Sequence, residues 1–298
     1  MINRVAAVEY VRRMRGGSQA HLLRCSDREY YVVKFQNNPQ GTRILANELL
    51  AAVLASRLGL PIPESAIVDV TEVFIKHTED LTIQIGRGNV SCSPGSCFGS
   101  RLPSEAGPYG IRVPIEIQSF LPDFPPQKVI NNAEFVPMLV FDKWTCNSDC
   151  RQVMFTRASG TQDYTLIMID NGFCFNGVEW TFPNLPKGGL SPRASAYETV
   201  RGIDSFEKWI QILEDDSAVQ LLDRLADEVP PEWYQRDRKA LHCLLDDLNR
   251  RRHHVRALLY TSRSEFPQCF PNWVYKRPII YSQPARQPRL LRANAKIA

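Results

Sequence analysis

Glu29-Tyr-Tyr-Val-Val-Lys-Phe-Gln36 is followed, after a short polar stretch, by Thr42-Arg-Ile-Leu-Ala-Asn-Glu-Leu-Leu-Ala-Ala-Val-Leu-Ala-Ser-Arg-Leu58. The first stretch is rich in β-branched and aromatic residues and predicts a strand over Tyr30–Phe35. Lys34 alternates in phase with Val32, so both side chains point to one face. An ammonium on an apolar face is costly unless it is paired. In the second stretch Ile44, Leu45, Leu49, Ala52, Val53 and Leu58 recur at helical spacing, with Glu48 near the edge of that stripe. Gly59 is a natural helix stop, and Pro61 and Pro63 lie beyond it. A lysine closing a strand and a glutamate on the next helix can form an ion pair that orients a nucleotide's phosphates. From spacing alone, an exposed salt bridge is the simpler reading.

Working outward, Val5–Val11 and Ala20–Arg24 read as strands that precede Tyr30–Phe35, with turns at Gly16-Gly-Ser-Gln19 and Ser26-Asp-Arg28. Gly16, Gly17, Ser18 and Gln19 could fold backbone N–H groups over phosphates, although a Gly-Gly hairpin turn is common for other reasons. Downstream, Ala66–Val70, Val73–Lys76, Leu81–Ile85 and Val113–Phe120 are further strand candidates. Gly86–Gly110 between them reads as a functional loop. After Leu121-Pro-Asp-Phe-Pro-Pro126 the pattern changes. Ala133–Trp144 reads as a buried helix, and Val153–Thr156 with Tyr164–Ile169 as a hairpin. Ser205 to Tyr260 is helical, ending in one long basic amphipathic helix over about residues 231–259. The expected fold is therefore α+β in two lobes. Residues 1–117 form a β-rich lobe, 118–126 a hinge, 127–275 a helical lobe and 276–298 a basic tail.

Two acidic segments complete the pattern. Asn147-Ser-Asp149-Cys-Arg151-Gln152 lies between the buried helix and the hairpin, where Asp149 could accept or position a substrate hydroxyl's proton. Ile169-Asp170-Asn-Gly172 ends a strand, where Asp170 could hold Mg²⁺ against phosphate oxygens. Each alone is equally an ordinary turn. Glycine turn, strand lysine, helix glutamate, loop aspartate and strand-end aspartate, in that order, are the parts of a kinase.

Composition sets the outer limits. The chain has 298 residues, is 44% hydrophobic and 23% charged, and carries a formal charge of +4. Lys276, Arg277, Arg286, Arg289, Arg292 and Lys296 of the tail meet no acidic residue, so the rest is close to neutral and nucleic acid is not expected as a partner beyond a contact by that tail. No apolar run is long enough to span a bilayer and no leader pattern opens the chain, which predicts a cytoplasmic protein without a membrane partner. The eight cysteines suit buried thiols in a reducing compartment, and their spacing with the five histidines does not match a zinc site.

Asn47-Glu48 with Leu54-Ala-Ser-Arg-Leu-Gly-Leu-Pro-Ile-Pro-Glu64, Asp142-Lys-Trp144, Asn147-Ser-Asp149-Cys-Arg151-Gln152 and Ile169-Asp170 resembles the bacterial HipA-like kinases, the short variety above all, over about residues 3–275. The resemblance implies a protein-kinase-like fold using ATP and Mg²⁺. It casts Gly16–Gln19 as the phosphate loop, Lys34 as the phosphate-binding lysine, Glu48 as its partner and Gln118, Ser119, Phe120 and Leu121 as the hinge that meets adenine. Asp149 becomes the catalytic aspartate and Asp170 the metal aspartate. The family's second metal ligand, an asparagine five residues after the catalytic aspartate, is Met154 here, so Gln152 or Asn147 would have to supply the oxygen. The implied activity is phosphorylation of a Ser/Thr hydroxyl on a protein, with this chain itself as one candidate substrate and a regulatory protein as a candidate partner. A pseudokinase or a small-molecule kinase would use the same parts.

Overall fold

Five strands close into a barrel because each can bury one face and satisfy both edges. A computed structural model describes residues 2–106, 112–122, 128–215 and 217–274. In it β1 (Asn3–Arg13), β2 (His21–Cys25), β3 (Tyr30–Lys34), β4 (Ser65–Val70) and β7 (Gly95–Arg101) join in the order β1-β2-β3-β7-β4. A parallel β1–β4 pairing closes the ring, with Asn3 opposite Ala66 and Val5 opposite Val68. The barrel's core includes Val5, Leu23, Tyr31, Val33, Ala66, Val68 and Cys97.

The stretch Gly86–Gly110, expected as a functional loop, instead contains β6 (Gly88–Ser91), which pairs back on β5 (Thr82–Ile85) as a hairpin, then β7, then β8 (Ser104–Ala106). Its Gly95-Ser-Cys-Phe-Gly-Ser-Arg101 has almost no strand-favouring residue. Long-range pairing with both β3 and β4 selects the strand. Glycine is required at 99, where a Cβ would come within 2.5 Å of Val68. Residues 107–110 of the expected loop lie outside the described residues.

Val73–Lys76, expected as a strand, lies in the short helix α2 (Glu72–Lys76). Thr71 caps it by accepting from Phe74 N, and Glu72 pairs with Lys76 at 2.9 Å. Val113–Phe120 is split at Ile115. β9 (Arg112–Pro114) pairs with β8, and β10 (Glu116–Gln118) pairs with β11 (Gln152–Arg157). β11 then pairs with β12 (Thr165–Ile169) as the expected hairpin.

Helix α1 (Arg43–Arg57) lies between the barrel and a helical body. One apolar core joins its Leu45, Leu49 and Leu50 to Phe98 of β7 and to Phe135, Leu139 and Phe141 of α3 (Phe135–Thr145). Every residue of α3 is buried. Against it pack α4 (Glu207–Glu214), α6 (Arg238–Arg251) and α7 (Val255–Glu265), while α5 (Ser217–Glu228) packs on α4 and α6. The single helix expected over residues 231–259 is broken. A 3₁₀ turn occupies Pro231–Tyr234, Gln235 and Arg236 have φ of 57° and 60°, and Asp237 starts α6 by accepting from Ala240 N. A second break follows at Arg252–His254, where the Arg252 guanidinium reaches the carbonyls of Leu213, Glu214 and Asp215. The fold is thus α+β, with strands and helices largely segregated along the chain. All eight cysteines are free thiols. Among the described residues no helix is long and apolar enough to cross a membrane, and no cluster of side chains has the makings of a metal site by number alone. The tail beyond residue 274 and hinge residues 123–126 lie outside the described residues.

Candidate active site

Lys34 ends β3 on the face that looks away from the barrel interior, toward α1. Its ammonium donates to Glu48 Oε1 and, at 2.7 Å, to Asp170 Oδ1. Lys34 is 7% exposed and Glu48 3%, so the pair is a buried one and the surface reading is excluded. Burial works against the lysine's charge, but Glu48 and Asp170 outweigh it and hold its pKa above the usual value. Burial raises Glu48, with Lys34 opposing. Burial pushes Asp170 upward too, yet contact with Lys34 brings it net below the ordinary carboxylate range. One ammonium between two carboxylates leaves the trio short of positive charge, and the Asp170 side chain is still 34% exposed.

Asp170 has φ +56°, a left-handed backbone that favours glycine. Its two neighbours are tied down. Asn171 N donates to Glu48 Oε2 at 3.1 Å. Arg151 Nη1 donates to the Ile169 carbonyl at 3.1 Å and to Asn171 Oδ1 at 2.9 Å. The other edge of that guanidinium forks onto Asp142 of α3, with Nε at 2.8 Å from Oδ2 and Nη2 on Oδ1. Both side chains have no solvent exposure. Burial penalises the Arg151 charge, and Asp142 restores it.

The same Asp142 organises the loop of Asp149. Asn147 Nδ2 donates to Asp142 Oδ1 at 3.0 Å, and Asn147 Oδ1 accepts from Asp149 N at 3.1 Å. Asp149 is partly exposed and accepts from Cys150 N at 2.7 Å and from Gln152 Nε2 at 3.0 Å. The Asp149 and Asp170 loops meet directly, since Ser148 N donates to the Phe173 carbonyl at 3.0 Å. Gln152 lies opposite Ile169 in the β11–β12 ladder, one residue from Asp170. Met154 is two residues further on the same strand and 8% exposed. The side-chain oxygen of Asn147 is already occupied by the Asp149 N–H, so of the two candidates Gln152 is the better placed to offer an oxygen here.

The glycine turn sits at the Lys34 end of the barrel, because it leads through Ala20 into His21, which pairs with Val33, the residue before Lys34. Gly16 has φ +123° and Gly17 comes close to the Gln40 side chain. Ser18 and Gln19 are half-buried. Gln19 is engaged with the β5–β6 hairpin, donating to the Gln84 carbonyl at 2.8 Å and accepting from Gln84 N at 2.7 Å. Gln118 reaches Glu116 and Tyr164, Ser119 is exposed and Phe120 is 75% exposed. The structure thus brings Lys34, Glu48, Asp149, Gln152 and Asp170 into one locality. A cavity of about 780 Å³ behind α1, bounded by Leu54, Trp144, Leu213 and Leu225, takes in none of these residues.

The sequence profile of the HipA-like kinases matches residues 7–160, just over half of the 298 residues. The chain belongs to the HipA-like kinase family. No curated protein sequence matches it significantly. Among solved structures it is similar to hydra Fam20 with sugar, at 14% identity over 89% of this chain and 86% of that one, with a TM-score of 0.49. A Golgi casein kinase follows at 10% identity, 88% and 72% coverage and a TM-score of 0.47. The Helicobacter pylori proinflammatory kinase CtkA gives 14% identity, 89% and 98% coverage and a TM-score of 0.37.

Within this HipA-like kinase, sequence reading gave no role to Asp142, Asn171 or Asn47. Two of the three carried a signal. Asp142 and Asn47 are polar residues inside helices that are otherwise apolar on that face, and such groups are retained when they have partners.

Proposed function

We propose that this chain is a two-lobed, protein-kinase-like enzyme that binds Mg-ATP and transfers its γ-phosphate to a Ser/Thr hydroxyl of a protein, itself included. The observation that carries the reading is the buried Lys34–Glu48 pair with Asp170 on the lysine's other side. That trio is expensive to bury and has no packing value that an apolar set would not match. A charged, phosphate-bearing ligand with a divalent cation gives it a use. The donor set fits a hard cation, since Asp170 brings a carboxylate and Gln152, opposite the preceding residue Ile169, brings an amide oxygen. Bound there, Mg²⁺ would neutralise phosphate oxygens as charge shifts during transfer. Lys34 orients the phosphates while Glu48 keeps its ammonium in place. Asp149, fixed by Cys150 N and Gln152, takes up or positions the hydroxyl proton of the substrate. The glycine turn closes over the phosphates from the Lys34 end of the barrel, and residues 118–121 face adenine.

The test uses the purified chain, thermal stabilisation by Mg-ATP, and transfer of labelled γ-phosphate to itself and to general protein substrates. Lys34→Ala and Asp170→Ala are expected to abolish the stabilisation. Asp149→Asn keeps it and lowers transfer at least about a hundredfold, the usual scale for a lost acid–base group. Full ATP affinity in both of the first two variants would overturn the site.

Met154 favours one second reading. A thioether replaces the oxygen that the family's second metal ligand supplies, and this is the pattern of a pseudokinase that acts through nucleotide-dependent protein contacts. ATP binding with no transfer, unaltered by Asp149→Asn, would select it.

A further inference from the structure

The residue before Glu48 has four hydrogen-bond partners that the proposed chemistry does not use, three carbonyls sharing the two N–H groups of its amide. Asn47 is fully buried. Its Nδ2 lies 2.7 Å from the Gly172 carbonyl, 3.1 Å from that of Cys174 and 2.9 Å from that of Gly177. Its Oδ1 accepts from the Trp180 indole at 2.7 Å. The segment it grips is a 3₁₀ stretch, Cys174–Glu179, interrupted by non-helical backbone at Phe175, Asn176 and Gly177. Phe175, Asn176 and Trp180 all have positive φ, of 59°, 57° and 52°, and the carbonyls of residues 172, 174 and 177 converge inward. Buried carbonyls without donors cost about 1–3 kcal/mol each, so such a backbone persists only around a donor that satisfies them together.

Asn47 does not act alone. Arg43, one turn earlier, stacks on Trp180 at 4.5 Å and donates to the Val178 carbonyl at 2.9 Å. Glu48 takes Asn171 N. Beyond Trp180, the Phe182 carbonyl accepts from Arg251 at 3.1 Å. Those of Leu185, Pro186 and Gly188 accept from the Lys143 ammonium at 3.1, 2.8 and 2.7 Å. The stretch Asn171-Gly-Phe-Cys-Phe-Asn-Gly-Val-Glu-Trp180 contains no Ser, Thr or Tyr. The first hydroxyl after it, that of Thr181, already accepts from Asn176 Nδ2 at 2.9 Å, and the donors Asn47 and Arg43 and the acceptor Glu48 all belong to α1.

We infer that Asn47 is a positioning residue that locks α1 to the segment after Asp170, so that the site stands assembled in the free chain without a swing of α1 or modification of that segment. The inference rests on the kinase reading for its consequence in catalysis, but the lock itself is made of contacts within the chain.

Hydrogen exchange measured by mass spectrometry on the full chain reads the lock directly. In the wild type, amides of 171–180 are expected to be as protected without Mg-ATP as with it, away from any group the ligand touches. Protection that appears only when Mg-ATP is added would overturn the proposal, whatever the variants do. Asn47→Asp keeps the size but sets a carboxylate oxygen against three carbonyls. It is expected to speed exchange in 171–180 at least about tenfold with α6, α7 and the barrel strands unchanged, and to raise the KM for ATP several-fold more than it lowers kcat. Unchanged exchange in 171–180, or an equal rise everywhere, sinks the positioning role. Phosphatase treatment of the wild type is expected to leave both exchange and transfer as they were, and a loss of either would sink it too. If the wild type binds no ATP, the kinase reading fails while the exchange comparison between wild type and Asn47→Asp still judges the lock.

Discussion

Asp170 carries backbone strain, and a non-glycine residue at φ +56° typically costs about 1–2 kcal/mol. Glycine at this position would relieve it. Asp170→Gly is therefore expected to leave folding stability within about 1 kcal/mol of the wild type, since Lys34 keeps Glu48, while thermal stabilisation by Mg-ATP disappears. Unfolding in denaturant with and without nucleotide checks both halves. Asp142 should behave in the opposite way. It holds no proposed ligand, but it accepts from Arg151 twice and from Asn147, with no solvent to replace them. Asp142→Leu is expected to cost about 3–5 kcal/mol by leaving the Arg151 guanidinium buried and unpaired, and the double change Asp142→Leu with Arg151→Met to recover part of that loss. Equal destabilisation by the single and double variants would show that the pair is not coupled. At this scale the sequence was informative where a side chain's own burden is visible. Lys34 on an apolar face needed a partner, and the partner is Glu48. It was uninformative where the role depends on what arrives from a distance, as for Asn171, whose partners Glu48 and Arg151 lie 123 and 20 residues away.

At the scale of elements, the barrel carries a pH-sensitive residue. His21 at the start of β2 is fully buried, edge-on to Phe35, with Nε2 3.1 Å from the Thr82 carbonyl and 3.7 Å from Cys92 Sγ. Burial lowers its pKa to about 4, with Arg13 adding to the effect and the Thr82 carbonyl and Asp80 opposing it. An unfolded histidine binds its proton near pH 6.5, so between that pH and about 4 the unfolded chain holds a proton that the folded chain does not. Stability is then full above pH 6.5 and falls as the pH drops through that window. His21→Phe, which keeps the ring contacts, is expected to flatten the fall in melting temperature between pH 6.5 and 4, and an unchanged slope would remove His21 as its source. Elements with their own pattern were readable, among them β3, α1, α3 and the β11–β12 hairpin. β7 was not, because a Gly-Ser-Cys strand has weak local preference and is chosen by its two neighbours. The breaks around α6 were not either: the one before it is made by the positive-φ pair Gln235–Arg236 ahead of the Asp237 cap, and the one after it lies where Arg252 finds the carbonyls of Leu213, Glu214 and Asp215.

At the scale of the whole molecule, barrel and helical body share one core through α1, and polar contacts cross between them as well. Met168 N donates to the Pro61 carbonyl at 2.7 Å, and the buried Trp233 donates to the Ser96 carbonyl of β7 at 2.9 Å. Calorimetry is therefore expected to show one unfolding transition with matching calorimetric and van't Hoff enthalpies. A fragment ending at residue 117 is expected not to reach the native circular dichroism of the barrel, because α1 loses the surface that covers its outer face. Two separated transitions, or a folded fragment, would show the halves to be independent. The sequence by itself determined that this is an α+β chain with a strand lysine, a helix glutamate and two loop aspartates in the order of a kinase, because periodicity and side-chain chemistry are local properties. Only the tertiary structure decided that Lys34 and Glu48 are buried rather than exposed, that β7 completes the barrel, and that Asp142, Arg151 and Asn47 hold the two aspartate loops. Those outcomes depend on desolvation and on donors and acceptors brought together across the fold: Asn47 and Gly172 are 125 residues apart and Lys34 and Asp170 136. Even the near pairs Lys34–Glu48 and Arg151–Asp142 are buried only by what packs over them.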